Sequence, residues 1–457
     1  MKSLAIAKRI AEAALLRGWH AFIIGGFVRD KVLGIASKDI DMEVFGPFSL
    51  DALITFAREF GDVDLVGESF SIVKLKVQGE NAIDLSLPRR DSKTGIGHKG
   101  FLTTSDSTMT TREASLRRDF TFNAMFFDPI TDDIIDFHNG VEDLQFHTLR
   151  HIDTHFSDDP LRVMRGMQFC ARFNLVAAPV TVTLCRSLKQ EFHTLAKERI
   201  WEEWHKWSTR STVPSRGLVF LHRTGWLDFF PSLKALLGLP QDERFHKEGS
   251  VWNHTKLCVD RAVEIAHRES LNSDDTSVLL FAALLHDIGK PSTTEIHEDG
   301  RITTHGHNEI GADLAACFLN DIGAPITLSN RVTALVSEHM FIATSTVTPR
   351  AVRRLAARLE PASIRMLCLL MEADITGRGE TVVDMSRLES LACTSAELNV
   401  MNDAPQPLVM GRHLIQLGFK PGKHFGTILS QLFDAQLNGD FSTPEDGLRQ
   451  LEAWSSL

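Results

Sequence analysis

Residues 21–45 constrain the fold more than any other stretch of this 457-residue chain. A short apolar run, Ala21 to Ile24, leads into Gly25-Gly26-Phe27-Val28-Arg29-Asp30, and Asp39-Ile40-Asp41 follows nine residues later. The run predicts a buried strand, and the two glycines predict a turn whose backbone N–H groups can approach an anion before a helix begins. Ile40, Met42 and Val44 alternate with acidic positions, so Ile40 to Phe45 reads as a second strand with Asp39 and Asp41 on one face. Two carboxylates on one face repel each other unless a divalent cation lies between them. Either feature alone is common as an ordinary turn or a solvated strand edge. In this order they point to two-metal phosphoryl transfer, with one ion activating an attacking hydroxyl and the other holding a triphosphate.

A chain of this length exceeds one compact core, so several domains are expected. Hydrophobic residues make up 43% and charged residues 24%, as in ordinary soluble proteins. No apolar run is long enough to span a bilayer, and Lys2, Lys8, Arg9, Glu12 and Arg17 make the N-terminus an amphipathic helix instead of a signal peptide. The six cysteines are scattered without a Cys-x-x-Cys pair, which fits a reducing cytoplasm. A net charge of −10 argues against indiscriminate nucleic-acid binding. Ser86 to Arg118 is locally basic, with seven Lys/Arg against three Asp/Glu, and suits a polyanion beside the carboxylates. Tyrosine is absent beside 29 phenylalanines and 19 histidines. That bias predicts a reduced-alphabet derivative of a parent carrying tyrosine at positions such as Phe27, Phe126 or Phe127.

The first 150 residues alternate between helical and strand patterns. Strands are expected at Ala21 to Ile24, Ile40 to Phe45, Ile72 to Val77, Ala82 to Leu87 and Ala124 to Asp128, giving an α+β unit with a mixed sheet. From Asp158 onward the periodicity is helical almost throughout. Pro214-Ser215, Gly238 to Glu243, Asp299-Gly300 and Asn402 to Pro407 read as punctuating loops.

Two further segments suit the first site. Asp84 in Ile83-Asp84-Leu85 supplies a third strand carboxylate, followed by Pro88-Arg89-Arg90, and Arg117-Arg118-Asp119-Phe120-Thr121-Phe122-Asn123 brings cations toward a triphosphate. Asp159 and Arg162, an acceptor and a donor at i and i+3, can present complementary hydrogen bonds to a base edge, or can simply pair with each other. The second half carries His254, His286-Asp287, Lys290, His305, His307, His339 and Asp374 in order. This His/Asp mixture suits a divalent transition metal that activates water.

The runs Gly25 to Asp30, Asp39 to Asp41, Arg117 to Ala124 and Asp158-Asp159-Pro160-Leu161-Arg162-Val163-Met164-Arg165 resemble the class II tRNA nucleotidyltransferases, which include CCA-adding enzymes and bacterial poly(A) polymerases. Asp158 stands where that family usually has Glu. The histidine series resembles the HD phosphohydrolase domain. The resemblance implies a polymerase-beta-like palm over residues 1–150, a helical neck over 151–237 with base recognition, an all-α HD domain over 238–395 and a helical, tRNA-binding tail over 396–457. It implies catalytic Asp39, Asp41 and Asp84, with Mg²⁺ on Asp39 and Asp41. Nucleotide contacts would come from Gly25, Gly26, Arg29, Arg118, Asp159, Arg162 and Arg165. His254, His286, Asp287 and Asp374 would hold a transition metal, His307 and His339 a second ion with His305 as competitor for His307, and Lys290 would meet phosphate. Asp91 to Phe101, with Gly95, Gly97 and Gly100, resembles the flexible loop of members that add the terminal A. The expected partners are tRNA, CTP and ATP, with no membrane. The rival readings are an A-adding enzyme or poly(A) polymerase, and an RNA-binding protein or HD phosphohydrolase with an inactive palm.

Overall fold

The computed structural model describes residues 2–37, 39–47, 49–66, 72–76, 81–93, 101–106, 108–378 and 384–455. They form two compact units, Met1–Phe229 and Phe230–Leu457.

In the first unit, α1 (Lys2–Leu15) buries Ala7, Ile10, Ala11 and Ala14, the stripe that a 3.6-residue period puts on one side. It packs on β1 (His20–Ile24) and β2 (Ile40–Phe45), which are linked by α2 (Gly26–Val32). After α3 (Leu50–Ala57) come β3 (Asp62–Val66), β4 (Ile72–Lys76) and β5 (Ile83–Ser86). A hairpin of β6 (Arg89–Lys93) and β7 (Phe101–Ser105) precedes α4 (Thr111–Leu116), β8 (Phe126–Phe127), β9 (Ile134–Ile135) and α5 (Gly140–Gln145). The main sheet runs β3-β4-β5-β2-β1-β8-β9. It is mixed, with β2 and β5 parallel and the other pairs antiparallel. Ile40, Met42, Val44, Ile83 and Leu85 are at most 3% exposed, and the acidic residues between them therefore project from the opposite face.

The expected strand at Ile40 to Phe45 appears with those ends. The one expected at Ala124 to Asp128 shrinks to Phe126–Phe127, because Thr121–Asn123 turns as a 3₁₀ helix just before it. β3 gave no strand signal, since it is a charged edge strand with Asp62 and Asp64 and an exposed Leu65. Val77 and residues 94–100, the centre of the predicted flexible loop, lie outside the described residues; β6 and β7 pair at the loop's two ends. Phe27, Phe126 and Phe127 are buried in contacts with other rings, where phenylalanine requires no partner for a hydroxyl.

The unit continues through α6 (Leu161–Phe173), α7 (Pro179–Ser187), α8 (Lys197–Arg210) and α9 (Pro214–Thr224). Pro214 opens α9 at a position that requires no N–H, so it marks a helix start and not a loop. α6 meets α9 closely enough that a methyl on Gly217 would lie 2.8 Å from the Met167 carbonyl oxygen.

The second unit is helical. Its elements are α10 (Pro231–Lys234), α11 (Val251–Arg268), α12 (Ser273–Leu285), α13 (Lys290–Thr293), α14 (His307–Asp321), α15 (Ile326–Glu338), α16 (Phe341–Thr344), α17 (Pro349–Leu359) and α18 (Ile364–Thr376). Then come α19 (Ser386–Glu397), α20 (Gly411–Gln416), α21 (His424–Asn438) and α22 (Pro444–Ser455). Every residue of α12 from Ser277 to Leu285 is buried, as expected of a helix enclosed by α11, α15 and α18. The tail has a small core of its own around Leu414, Leu432 and Phe441. Among the described residues, no helix is long and apolar enough to cross a membrane.

Gly140 holds α5 against the turn that carries Asn123. A methyl there would stand 2.5 Å from the Thr121 carbonyl oxygen and 2.8 Å from the Phe122 Cα, both backbone atoms that cannot rotate away. Gly140→Ala is expected to destabilise the first unit by about 1–3 kcal/mol in urea unfolding.

Candidate active site and candidate metal centre

The parallel register of β2 and β5 sets Asp41 directly beside Asp84, so both carboxylates leave the same face of the sheet. Asp39 lies just before β2, exposed. Asp41 is open to solvent, yet the protein around it and then the charge of Asp84 raise its carboxyl above the usual range, against the pull of Arg118. Asp84 Oδ1 is buried without a hydrogen-bond partner. The turn residue Gly25 has φ +67°, and a side chain there would begin 3.9 Å from Asp41 Oδ2. Hard oxygen donors crowded on one face, one of them orphaned, fit a small divalent cation.

Glu43 continues the Asp39, Asp41 alternation and went unmarked in the sequence, although that same period could have found it. It is fully buried and pairs with Arg117, while Arg118 Nη2 lies 3.6 Å from its Oε2. Burial, with Arg117 alongside, pushes Arg118 down to about 10. Glu43 therefore holds two arginines against the strand that carries Asp41. Lys74 of β4 stands in register with Asp84.

Arg29 sits in a buried network. Its Nε and Nη2 donate to Asp30 Oδ1 at 2.9 and 2.7 Å, its Nη1 donates to Asn123 Oδ1 at 3.0 Å, and its guanidinium lies 4.6 Å from the Phe173 ring centre. Asn123 Nδ2 donates to Asp119 Oδ1, and Arg165 Nε donates to Asp119 Oδ2 at 2.7 Å. Against its burial, the charge of Arg165 and the Asn123 hydrogen bond hold the Asp119 carboxyl below its ordinary range. Asp30, Asp119 and Asn123 thus tie the glycine turn to α6.

Asp159 and Arg162 do not pair with each other. Asp159 Oδ1 accepts from the Leu161 N–H that opens α6, and Oδ2 accepts from Arg199 Nη2 at 3.0 Å. Arg162 donates to the carbonyls of His155 and Arg117, at 2.7 and 2.6 Å. Both side chains are held by local structure, and Arg199 had given no signal in the sequence.

In the second unit, α11 contributes His254, the end of α12 His286 and Asp287, α14 His307, the end of α15 His339, and α18 Asp374, all buried. His305 is exposed. His254 Nε2 lies 3.0 Å from Asp374 Oδ1 and 3.3 Å from His286 Nε2. Asp287 Oδ2 is 3.3 Å from His286 Nε2, and its Oδ1 is 3.4 Å from His307 Nε2. His286, His307 and His339 each place Nδ1 on a backbone carbonyl, of Ala283, Thr304 and Val336, which turns Nε2 inward on each ring. His307 Nε2 and His339 Nε2 are nevertheless 3.1 Å apart. Burial and the neighbouring His286 and His307 push His339 down to about 3, and burial lowers His307, so two lone pairs face each other. That arrangement fits a cation between them and no direct hydrogen bond.

Three groups of ligand atoms within 4.8 Å of one another occur among the described residues: His254, Cys258, His286 and Asp374; His246, Glu248 and His254; and Asp287, His307 and His339. Glu248 Oε1 receives both His246 Nδ1, at 2.9 Å, and His254 Nδ1, at 2.8 Å. Against burial, those contacts hold Glu248 at about 2. Lys290 Nζ is 2.7 Å from Asp287 Oδ2 and donates to Gln241 Oε1 at 2.7 Å. Cys258, His246, Glu248 and Gln241 escaped the sequence reading, because each looks ordinary until the helices converge.

Residues 21–150 match the Poly A polymerase head domain family, and residues 251–378 match the HD domain family. A multifunctional CCA protein of Xanthomonas oryzae pv. oryzae is 32% identical over 368 residues, covering 78% of this chain and 85% of that protein. The structure of the Bacillus stearothermophilus CCA-adding enzyme in complex with CTP aligns with TM-score 0.66 and 18% identity over 99% of this chain and 98% of that one. The Thermotoga maritima CCA-adding enzyme complexed with tRNA CCA aligns with TM-score 0.60 and 17% identity over 99% and 95%. At such identities the structures speak for a shared fold. The sequence match runs through the acidic sheet face and into the histidine cluster, and by it the chain belongs to the multifunctional CCA protein family, the class II tRNA nucleotidyltransferases that carry an HD domain.

Proposed function

We propose that the first unit adds C and A to the tRNA 3′ end from CTP and ATP, and that the second hydrolyses phosphoesters at RNA ends. The register that places Asp41 beside Asp84 carries the first half of this reading. Asp39, Asp41 and Asp84 would hold magnesium through hard oxygen donors. Bound there, magnesium supplies Lewis-acid activation of a hydroxyl and neutralises triphosphate charge. Arg117 and Arg118, fixed by Glu43, add positive charge beside the same face, and the turn at Gly25 and Gly26 brings backbone N–H groups to it. Arg29 and Arg165 act from within the buried network, holding that turn against α6. Asp159 and Arg162 read a base edge by exchanging their present partners for it, and Arg199 keeps Asp159 oriented until then. Protein side chains thereby take the place of a nucleic-acid template.

His254, His286, Asp287 and Asp374 form the first metal set of the HD unit, and His307 with His339 extend it through Asp287. Imidazole ligands favour a transition metal over magnesium. Lys290, held on Asp287, is the cation nearest to a bound phosphate.

Radiolabelled tRNA transcripts ending before, within and after the CCA tail, each given one nucleotide, test the first activity. CTP should extend the tail-less transcript and ATP the one ending in CC. Failure with CTP, alongside ATP runs on any RNA, would instead identify a poly(A) polymerase. Asp41→Asn should lower incorporation by at least about 100-fold while leaving hydrolysis of a 2′,3′-cyclic phosphate intact. His339→Ala should do the reverse. Asp119→Asn should cost about 1–3 kcal/mol at neutral pH by leaving Arg165 without its acceptor. The ionised Asp119 stabilises above the ordinary carboxyl value of 3.8, and that contribution is lost as pH falls through its lower folded value. The gap between variant and wild type in urea unfolding should accordingly close below about pH 4.

A further inference from the structure

One side chain in the HD unit has no part in the reading above. Cys258 lies one turn after His254 on α11, on the same face of the helix. A buried cysteine usually serves as a small apolar filler. Here Sγ is 3.3 Å from His254 Nε2 and 3.8 Å from Nδ1, so it stands on the side of the ring that faces His286 and Asp374. Its own atom, His254 and His286 nitrogens and an Asp374 oxygen all fall within 4.8 Å of one another. Gly377 makes room for it: a methyl there would meet Cys258 Sγ at 2.7 Å. A cation is expected in this same space on other grounds: His254 Nε2 lies 3.3 Å from His286 Nε2 and 3.0 Å from Asp374 Oδ1, so nitrogen and oxygen donors from three parts of the fold converge there without the sulfur.

The geometry points to Cys258 as a metal ligand, making the HD centre a pair of unlike sites. The inference rests on the reading of this unit as a metal centre. One site has two imidazoles, a carboxylate and a thiolate, a four-donor set suited to a borderline or soft divalent ion such as zinc, cobalt or nickel. Its neighbour, Asp287 with His307 and His339, has three donors and no sulfur, and so keeps a coordination position open for water. Asp287 faces both, through Oδ2 and Oδ1. When the sulfur–metal bond forms, the thiol proton leaves to solvent and the sulfur becomes a thiolate.

Cobalt(II) is the probe, added to the full-length chain after chelator stripping. The expected spectrum has an intense near-ultraviolet thiolate-to-cobalt charge-transfer band. Cys258→Ser should abolish that band and weaken cobalt retention against a competing chelator by at least about tenfold. Cys317→Ser/Cys393→Ser, which removes the two exposed thiols, should keep the band. Cobalt binding at the stoichiometry of the histidine sites without a charge-transfer band in the wild-type protein overturns the role of Cys258 and leaves the metal centre standing, a result that needs no variant to fold. A band that persists in Cys258→Ser overturns it as well. Absence of cobalt binding altogether overturns the metal-centre reading itself.

Discussion

The repulsion between Asp41 and Asp84 is the constraint on which the first unit depends. A sheet that wanted only stability would not place two carboxylates side by side in register on one face, nor add Asp39 at the strand's edge. The protein around Asp41, and then the charge of Asp84, raise its carboxyl. What surrounds the pair makes sense as its counterweight. Glu43, deeper on the same strand, recruits Arg117 and Arg118, so the acids are flanked by cations that are themselves anchored by an acid. The strain lies in the β2–β5 pair, and the apolar residues on the opposite side of those strands, Ile40, Met42, Ile83 and Leu85, hold the register against it.

Burial of polar groups carries this organisation outward. Arg29, Asp30, Asn123, Asp119 and Arg165 form one continuous run of hydrogen bonds from the glycine turn to α6. Such networks are specifying when each member is satisfied, since an orphaned charge in the interior is expensive. The aromatic layer of Phe120, Phe122, Phe169 and Phe173 packs against the run, with the Arg29 guanidinium over Phe173 and that of Arg165 over Phe169. The glycine turn is thereby coupled to the helix that starts beside Asp159, two segments separated by more than a hundred residues in sequence.

What could be read in the chain beforehand divides by range. Ile40 to Phe45 announced itself because period-two alternation is a local property, and Asp39 and Asp41 came with it. The histidines and aspartates that converge in the second unit drew notice because six His and Asp positions in order are rare in a helical sequence. Arg29 was assigned to the triphosphate, and the structure adds that it is bonded to the adjacent Asp30 and to Asn123, 94 residues away, a partner that no local pattern reveals. The i,i+3 pairing of Asp159 and Arg162 was a fair local alternative, and the structure replaces it with the distant Arg199. β3 hid because Asp62 and Asp64 charge one face of an edge strand and Leu65, on the other, is exposed. Glu43 was the avoidable omission: it obeys the alternation already noted for its neighbours.

The two units solve one problem, gathering like groups around a cation, with opposite chemistry. The sheet of the first offers oxygen alone, presented by strands whose spacing is set by backbone hydrogen bonds, and leaves its carboxylates partly open to solvent. The helices of the second bury every ligand and fix each imidazole through its outer nitrogen, to a carbonyl or to Glu248. A hard ion that keeps several waters suits the first arrangement, because a substrate must share its coordination. A borderline ion that tolerates few ligands in fixed positions suits the second. Hydrogen bonding sets the terms of that second arrangement: His254 is clasped between Glu248 on Nδ1, at 2.8 Å, and Asp374 on Nε2, at 3.0 Å. Ligand softness thus separates the two clusters within one chain, so that an ion suited to the histidines would have little claim on the carboxylates of the sheet.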